Sequence, residues 1–245
     1  GIDLVILHDL DHAHPVAIMD GTLITAIRTS AASGVAAKYL ANLDSSIAGM
    51  VGAGVIGRTA IEAFLCVFPN LKEVRLFDLN RSKSESLAAE FKDRIEVRVV
   101  DDARSAVEGA HVIATQTTTR KHFLKWEWIK EANFYAQMGT NEAEEKAILS
   151  ADVLVVDDWG PIKHYQPGYF ARLVAEGRLK EESILELKNI VAGKVKGRTS
   201  PKQHILFKSM GMGAEDIIVA ERIYQTAKAM GLGQTLRLWD TPLWL

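Results

Sequence analysis

Cysteine is nearly missing from this 245-residue chain: Cys66 is alone, so an internal disulfide is excluded, as in proteins of a reducing compartment. A charge excess is missing too. With 29 basic against 31 acidic residues, nothing suggests nucleic acid or an anionic membrane surface as a partner. No apolar run is long enough to span a bilayer, and no basic-then-apolar leader opens the chain. The expectation is a cytoplasmic protein. Internal repeats, low-complexity tracts and charged tails are also lacking. The length suffices for a full core, as one large domain or one domain plus a smaller one. The first residue is Gly1 and Leu4 to Leu7 reads as a strand already under way, so the numbering is expected to start inside a longer polypeptide.

What is present is organised around Ser46 to Ala60, an apolar strand, a glycine turn and a helix start containing Gly52-x-Gly54-x-x-Gly57. Gly52 allows a tight turn, Gly54 lets backbone amides approach a pyrophosphate, and Gly57 lets the helix pack closely. The helix N-terminus then offers unpaired N–H groups and a positive dipole end to phosphates. Ile61, Phe64, Leu65 and Phe68 continue with helical spacing, and the strand Glu73 to Phe77 ends at Asp78. That acid lies about 20 residues past the last glycine, where it can bind the ribose hydroxyls of an adenosine. The expected cofactor is a dinucleotide, held by Gly52, Ala53, Gly54, Val55, Ile56, Gly57 and Asp78. A carboxylate there favours NAD, while Arg58 and Arg81 keep NADP open. The competing reading is an ordinary βαβ turn with a solvated aspartate. Cys66 is placed on the apolar face of this helix, in a packing role.

Beyond Asp78 the chain alternates as an α/β doubly wound sheet requires. Helix 82–91, strand 95–99 and helix 103–109 lead to strand 111–115. That strand ends in Gln116-Thr117-Thr118-Thr119, whose hydroxyls either face the ligand crevice or cap the next segment. Strands follow at 134–138 and 152–158. Between 159 and 187 the pattern is irregular, with a helix at 170–177. Trp159, His164 and Tyr165 there either line a pocket or lie on a surface loop. Strand 205–209 is expected to close the sheet, and 214–230 forms an amphipathic helix.

Before the glycine turn, strands 4–7 and 16–19 precede Asp20-Gly21, read as a hairpin turn into a third strand, 22–27. His8, His12 and His14 cluster with Asp9 and Asp11, and a solvated loop is favoured over a metal site. Helix 35–41 then carries a solvated Lys38. Arg28, at the junction, either grips a carboxylate with paired hydrogen bonds or pairs with a local aspartate.

Together, Pro15 to Gly21 with Ile24-Thr25 and Arg28-Thr29, the glycine fingerprint, Val191-Ala192-Gly193-Lys194 with Gly197-Arg198, and Phe207 to Gly211 followed by Glu215-Asp216 resemble the ornithine cyclodeaminase/mu-crystallin family over nearly the whole chain. The resemblance implies a Rossmann domain, residues 45–212, and a smaller α+β substrate and dimerisation domain from 1–44 and 213–245. It implies NAD or NADP, a homodimer, and chemistry at the α-carbon of an amino acid or its imine: cyclodeamination, oxidative deamination or imine reduction. The nucleotide site then takes in Thr29, Arg81, Thr115, Thr117, Met138 and Gly139, with Arg28 at the substrate carboxylate. An arginine and a lysine from a region upstream of Gly1 are also implied at the substrate.

One departure stands out. Where many members carry an acid/base aspartate two residues after the glycine, this chain has Asn141 after Gly139, then Glu142. Asparagine exchanges no proton at neutral pH. Either Glu142, Glu144 or Glu145 substitutes, or the proton path differs, or cyclodeaminase chemistry is absent. Arg28, Asn141 and Glu142 are the catalytic candidates. A non-catalytic, nucleotide-bound ligand carrier of the mu-crystallin type is the alternative to an enzyme.

Overall fold

The computed structural model describes residues 3–165 and 168–237. Residues 238–245, assigned above to the smaller domain, lie outside them. The chain order is β1 (Leu4–His8), β2 (Pro15–Asp20), α1 (Thr22–Leu40), β3 (Ile47–Val51), α2 (Val55–Val67), β4 (Glu73–Phe77), α3 (Arg81–Phe91), β5 (Glu96–Val99), α4 (Ala103–Val107) and β6 (Val112–Thr115). It continues with α5 (Trp126–Ile129), β7 (Phe134–Gln137), α6 (Glu145–Leu149), β8 (Val153–Val156), α7 (Trp159–His164), α8 (Tyr169–Ala175), a 3₁₀ turn at Glu181–Ser183, β9 (Ile184–Glu186), α9 (Leu187–Val191), β10 (Ile205–Lys208) and α10 (Gly213–Ala229). Among the described residues no helix is long and apolar enough to cross a membrane.

The described residues divide into two compact units, 3–25 with 213–237 and 26–212. Residues 26–44, grouped above with the smaller part, pack in the larger unit.

In the smaller unit β1 and β2 pair antiparallel, Ile6 opposite Ile18. Strand alternation turns Leu7, Val5, Ala17 and Met19 to one face, where they meet Ile24 and Ala220. The expected third strand at 22–27 is instead the first turns of α1. Asp20-Gly21 starts a helix rather than a hairpin: the Asp20 carboxylate accepts the Thr22 N–H at 2.8 Å, and Thr25 N–H already donates to Gly21 O at 2.8 Å. Isoleucine and threonine at 22–27 carry strand propensity, but a capped start and helix packing override it.

The larger unit is built on eight strands, all parallel, in the order β5-β4-β3-β6-β7-β10-β8-β9. Its core strands are buried on both faces, which is why they read as continuous apolar runs. Strand β10 does not close the sheet as expected; it inserts between β7 and β8, and the short β9 forms the edge. Gly34 explains how α1 approaches α2, since a methyl there would lie 3.3 Å from the Ala63 Cβ. Ser30 and Thr59 share a buried hydroxyl hydrogen bond of 2.7 Å across this contact. Cys66 is exposed, not packed. Ile61, Phe64 and Phe68 face the core, and the helical step from Phe64 turns residue 66 outward.

Candidate active site

The order of β3 and its neighbours reverses the winding between β3 and β6, which makes the carboxyl ends of these two strands the switch point at which open α/β sheets take their ligands. Gly52 leaves β3 at φ +112°, a conformation that L side chains rarely adopt. The Gln116 side chain, from the end of β6, donates to Gly52 O at 2.7 Å and ties the two lips together. A Cβ on Gly57 would overlap Gly52 O, so this glycine serves the turn's own carbonyl rather than helix-to-sheet packing. Gly54 differs: a Cβ there meets nothing within 4 Å. Gly54 is the N-cap of α2, without a side-chain cap and with no acid in the first turn. The helix therefore points unanswered N–H groups into open space, as a pyrophosphate requires.

Asp78 is half-buried beside this turn. One oxygen accepts the Ala53 N–H at 2.8 Å and the other the Asn80 N–H at 2.8 Å. Leu79, which the sequence reading passed over, is 96% exposed next to it. Arg81 is paired with Glu85 and Asp101, and Arg58 with Glu90. Val55 is exposed, whereas Thr29 is buried.

The second half of the site centres on Glu142, fully buried just beyond β7. Its carboxylate accepts from Thr115 Oγ1 at 2.5 Å, Thr117 N at 2.5 Å and Gly139 N at 2.9 Å. Gly139 must be glycine here because a Cβ would overlap that carboxylate. Burial pushes the Glu142 carboxyl above the usual range, against its hydrogen bonds and the nearby Lys208. Tyr135 OH completes a buried chain with Thr115 Oγ1 at 2.8 Å, and burial raises its phenol.

Sequence reasoning missed Lys208 and Asp157. Lys208 is 6% exposed and donates to Gly139 O at 3.1 Å and to Ser209 O. Burial pushes its ammonium down to about 8, opposed by Glu142 and Asp157. Asp157, also buried, accepts from Met210 N at 2.7 Å, Gly211 N at 2.6 Å and Ser209 Oγ at 3.2 Å. The signals were visible: a lysine ending an apolar strand, and an aspartate pair just after another. Gly211, pinned in this way, takes φ +93°, and the Arg28 guanidinium lies directly against it.

The acid/base candidates are thus sorted by geometry. Glu142 is sealed, Glu144 accepts the Trp126 N–H at 2.8 Å, and Glu145 pairs with Arg172 and Arg178 on the surface. Thr115 commits its hydroxyl to the interior. Met138 is half-buried against the core. One buried acceptor, Asn141 Oδ1, has no hydrogen-bond partner among the described residues; such an orphaned atom is what a bound ligand answers. Trp159 and His164 lie in helix α7, not a loop, with Trp159 Nε1 donating to Glu181 at 2.8 Å.

A parallel doubly wound sheet, an uncapped glycine-turn helix and an acid at the end of β4 define a dinucleotide-binding domain of the Rossmann class. The ornithine cyclodeaminase/mu-crystallin family model matches residues 1–231. The chain belongs to that family of NAD-dependent amino-acid oxidoreductases. It is 30% identical to N-((2S)-2-amino-2-carboxyethyl)-L-glutamate dehydrogenase of Staphylococcus aureus, over 96% of this chain and 71% of the relative. The structure of Thermococcus litoralis Δ(1)-pyrroline-2-carboxylate reductase, in complex with NADH and L-proline, is similar at TM-score 0.88 and 36% identity, covering 96% of this chain and 74% of that one. An archaeal alanine dehydrogenase dimer with bound NAD matches at TM-score 0.86 and 30% identity, covering 97% and 75%.

Proposed function

We propose that this chain, as a homodimer, uses NAD to interconvert a carboxylate-bearing imine and the corresponding amino acid. What supports this reading is the seat of the Arg28 guanidinium against Gly211 together with Asn141 at the motif position of the acid. Arg28 rests on Gly211, whose loop Asp157 fixes from β8, so the guanidinium has a rigid seat. A planar guanidinium holds a carboxylate with two parallel hydrogen bonds and sets the α-carbon's orientation. Cyclodeamination must also expel ammonia, which calls for an acid/base group next to the nitrogen. Asn141 holds the motif position of that group, and Glu142, Glu144 and Glu145 are each engaged elsewhere. Imine reduction asks less: one hydride to carbon and one proton to nitrogen.

When bound, the nicotinamide supplies or accepts that hydride. The uncapped start of α2 and the space over Gly54 would hold the pyrophosphate, Asp78 the ribose, and exposed Leu79 would meet an apolar ring face. Asn141 Oδ1, without a partner among the described residues, would accept a hydrogen bond at the ring or substrate. NAD is favoured over NADP because Arg58 and Arg81 are already neutralised by carboxylates and Asp78 would repel a 2′-phosphate.

The test is nicotinamide absorbance in both directions, with cyclic imines or keto acids plus an amine against NADH, and amino acids against NAD. Ammonia release is followed in the same wells. NADH consumption with an imine supports the reading. Ammonia release from ornithine or lysine at constant absorbance would replace it with cyclodeamination.

A further inference from the structure

The loop joining β1 and β2, residues 9–14, gathers three metal-ligating side chains that the oxidoreductase chemistry does not use. Asp9, His12 and His14 each present a donor atom, and these atoms all lie within 4.8 Å of one another. The loop is ordered around that cluster. Asp9 Oδ1 accepts the Asp11 N–H at 3.1 Å, the His12 N–H at 2.8 Å and His12 Nδ1 at 3.1 Å. Backbone bonds from Asp9 N to His14 O, 2.9 Å, and from Ala13 N to Asp9 O, 3.0 Å, close it.

Ala13 is the key to the geometry. It is the non-glycine residue with positive φ among the described residues, at +58°, a strained conformation for a side chain. In an extended strand residues 12 and 14 would share a face two residues apart. Here the left-handed kink between them brings their rings to 6.1 Å while both still reach Asp9. His8 Nδ1, bonded to Ala13 O at 3.0 Å, braces the kink. Residues 1–27 contain no lysine or arginine but four aspartates, Asp3, Asp9, Asp11 and Asp20, so the local field favours a cation.

We propose that this loop is a site for a divalent transition-metal ion, ligated by Asp9, His12 and His14, with the remaining positions open to water. Two imidazoles and one carboxylate suit zinc, nickel, cobalt or copper, whereas magnesium and calcium take all-oxygen sets. Tetrahedral zinc with bonds of about 2.0–2.1 Å needs donors roughly 3.3 Å apart. Rotation of the exposed His12 and His14 side chains toward half-buried Asp9 is the adjustment this requires. The ion replaces the His12–Asp9 contact and offsets the strain at Ala13.

The experiment titrates zinc alone into the chelator-treated full chain, against a chromophoric competitor, with cobalt absorption as a second readout. Expected is one equivalent bound at low micromolar Kd and a cobalt spectrum with ligand-field bands. The His12→Gln/His14→Gln variant should bind at least tenfold more weakly while keeping its circular dichroism and its dinucleotide affinity. Equal zinc affinity in wild type and that variant overturns the proposal. So does loss of binding in Cys66→Ser alone, which would locate the ion at the exposed thiol.

Discussion

Replacing Glu142 with glutamine tests whether the carboxylate is an internal strut between strand ends. The carboxylate has two acceptor oxygens serving three donors from β6, the segment after it, and the end of β7. Glutamine retains one acceptor and turns an NH₂ group toward the others. Either the Thr117 N–H, or the Gly139 N–H with the Thr115 hydroxyl, then faces a donor. Losing a hydrogen bond to a charged group costs about 1.5–3 kcal/mol, and an orphaned buried donor about 1–3 more. Relief from burying a charge offsets part of this, so the net expectation for Glu142→Gln is about 2–4 kcal/mol. In a chain of this length that lowers Tm by roughly 5–15 °C. The pH dependence has a definite sign. Burial raises the Glu142 pKa, so the fold binds its proton more tightly than the unfolded chain does, and wild-type stability falls as pH rises through the window between the two values. The margin of wild type over Glu142→Gln should therefore widen as pH is lowered from neutrality toward the ordinary glutamate range. Thermal and urea unfolding of both proteins across that range is the assay. A margin below about 0.5 kcal/mol, the size of an inconsequential surface change, would refute the strut. A margin that narrows on acidification would show that the three donors outweigh burial.

Gly54→Ala should unfold with the wild type yet bind NADH at least tenfold more weakly by fluorescence titration, because its methyl enters open space where phosphate belongs; Gly57→Ala should lose several degrees of Tm as well, since its methyl overlaps Gly52 O. Arg28→Ala should raise the KM for the amino acid by an amount equivalent to about 2 kcal/mol or more, with NADH affinity unchanged; an unchanged KM would remove Arg28 from the carboxylate. Burial lowers the pKa of His204, against its bond to Ala132 O, so the fold favours the neutral ring. Its contribution is complete above the ordinary histidine range and is lost as pH falls through that range toward the folded value; urea unfolding between about pH 5 and 8 should show this slope, and His204→Gln should flatten it.

The parts legible in the sequence were those where local chemistry and tertiary demand agree. Gly52, Gly57 and the doubly buried runs at 47–51, 112–115 and 134–137 announce turn and strand by composition alone. The stretch 22–34 misled because its signals conflict. Asp20-Gly21 suits a hairpin and a helix start equally, β-branched residues at 22–25 suggest a strand, and the small residues 29–34 resemble a turn until another helix is there to pack against. Cys66 shows the limit of spacing arguments, since one helical position decides between core and solvent. At the site, Arg28 and Asn141 were readable as residue types at motif positions. The burial of Glu142 was not, because it depends on Thr115, Gly139 and Lys208 converging from three separate strands. Only the fold tells that a glutamate three residues past Gly139 is an anchor rather than an open acid.

The outward turn of residue 66 on α2 makes the purified protein unusually easy to instrument. Within these 245 residues a thiol-reactive fluorophore meets a single cysteine. That position is about 11 residues along the helix that begins at the glycine turn, roughly 17 Å at 1.5 Å per residue. A dye there sits within energy-transfer range of a reduced nicotinamide nucleotide, so cofactor arrival and departure can be timed on the native sequence. The same exposure is a storage hazard, because air oxidation would couple two molecules through this thiol, and samples for assembly measurements should be kept reduced.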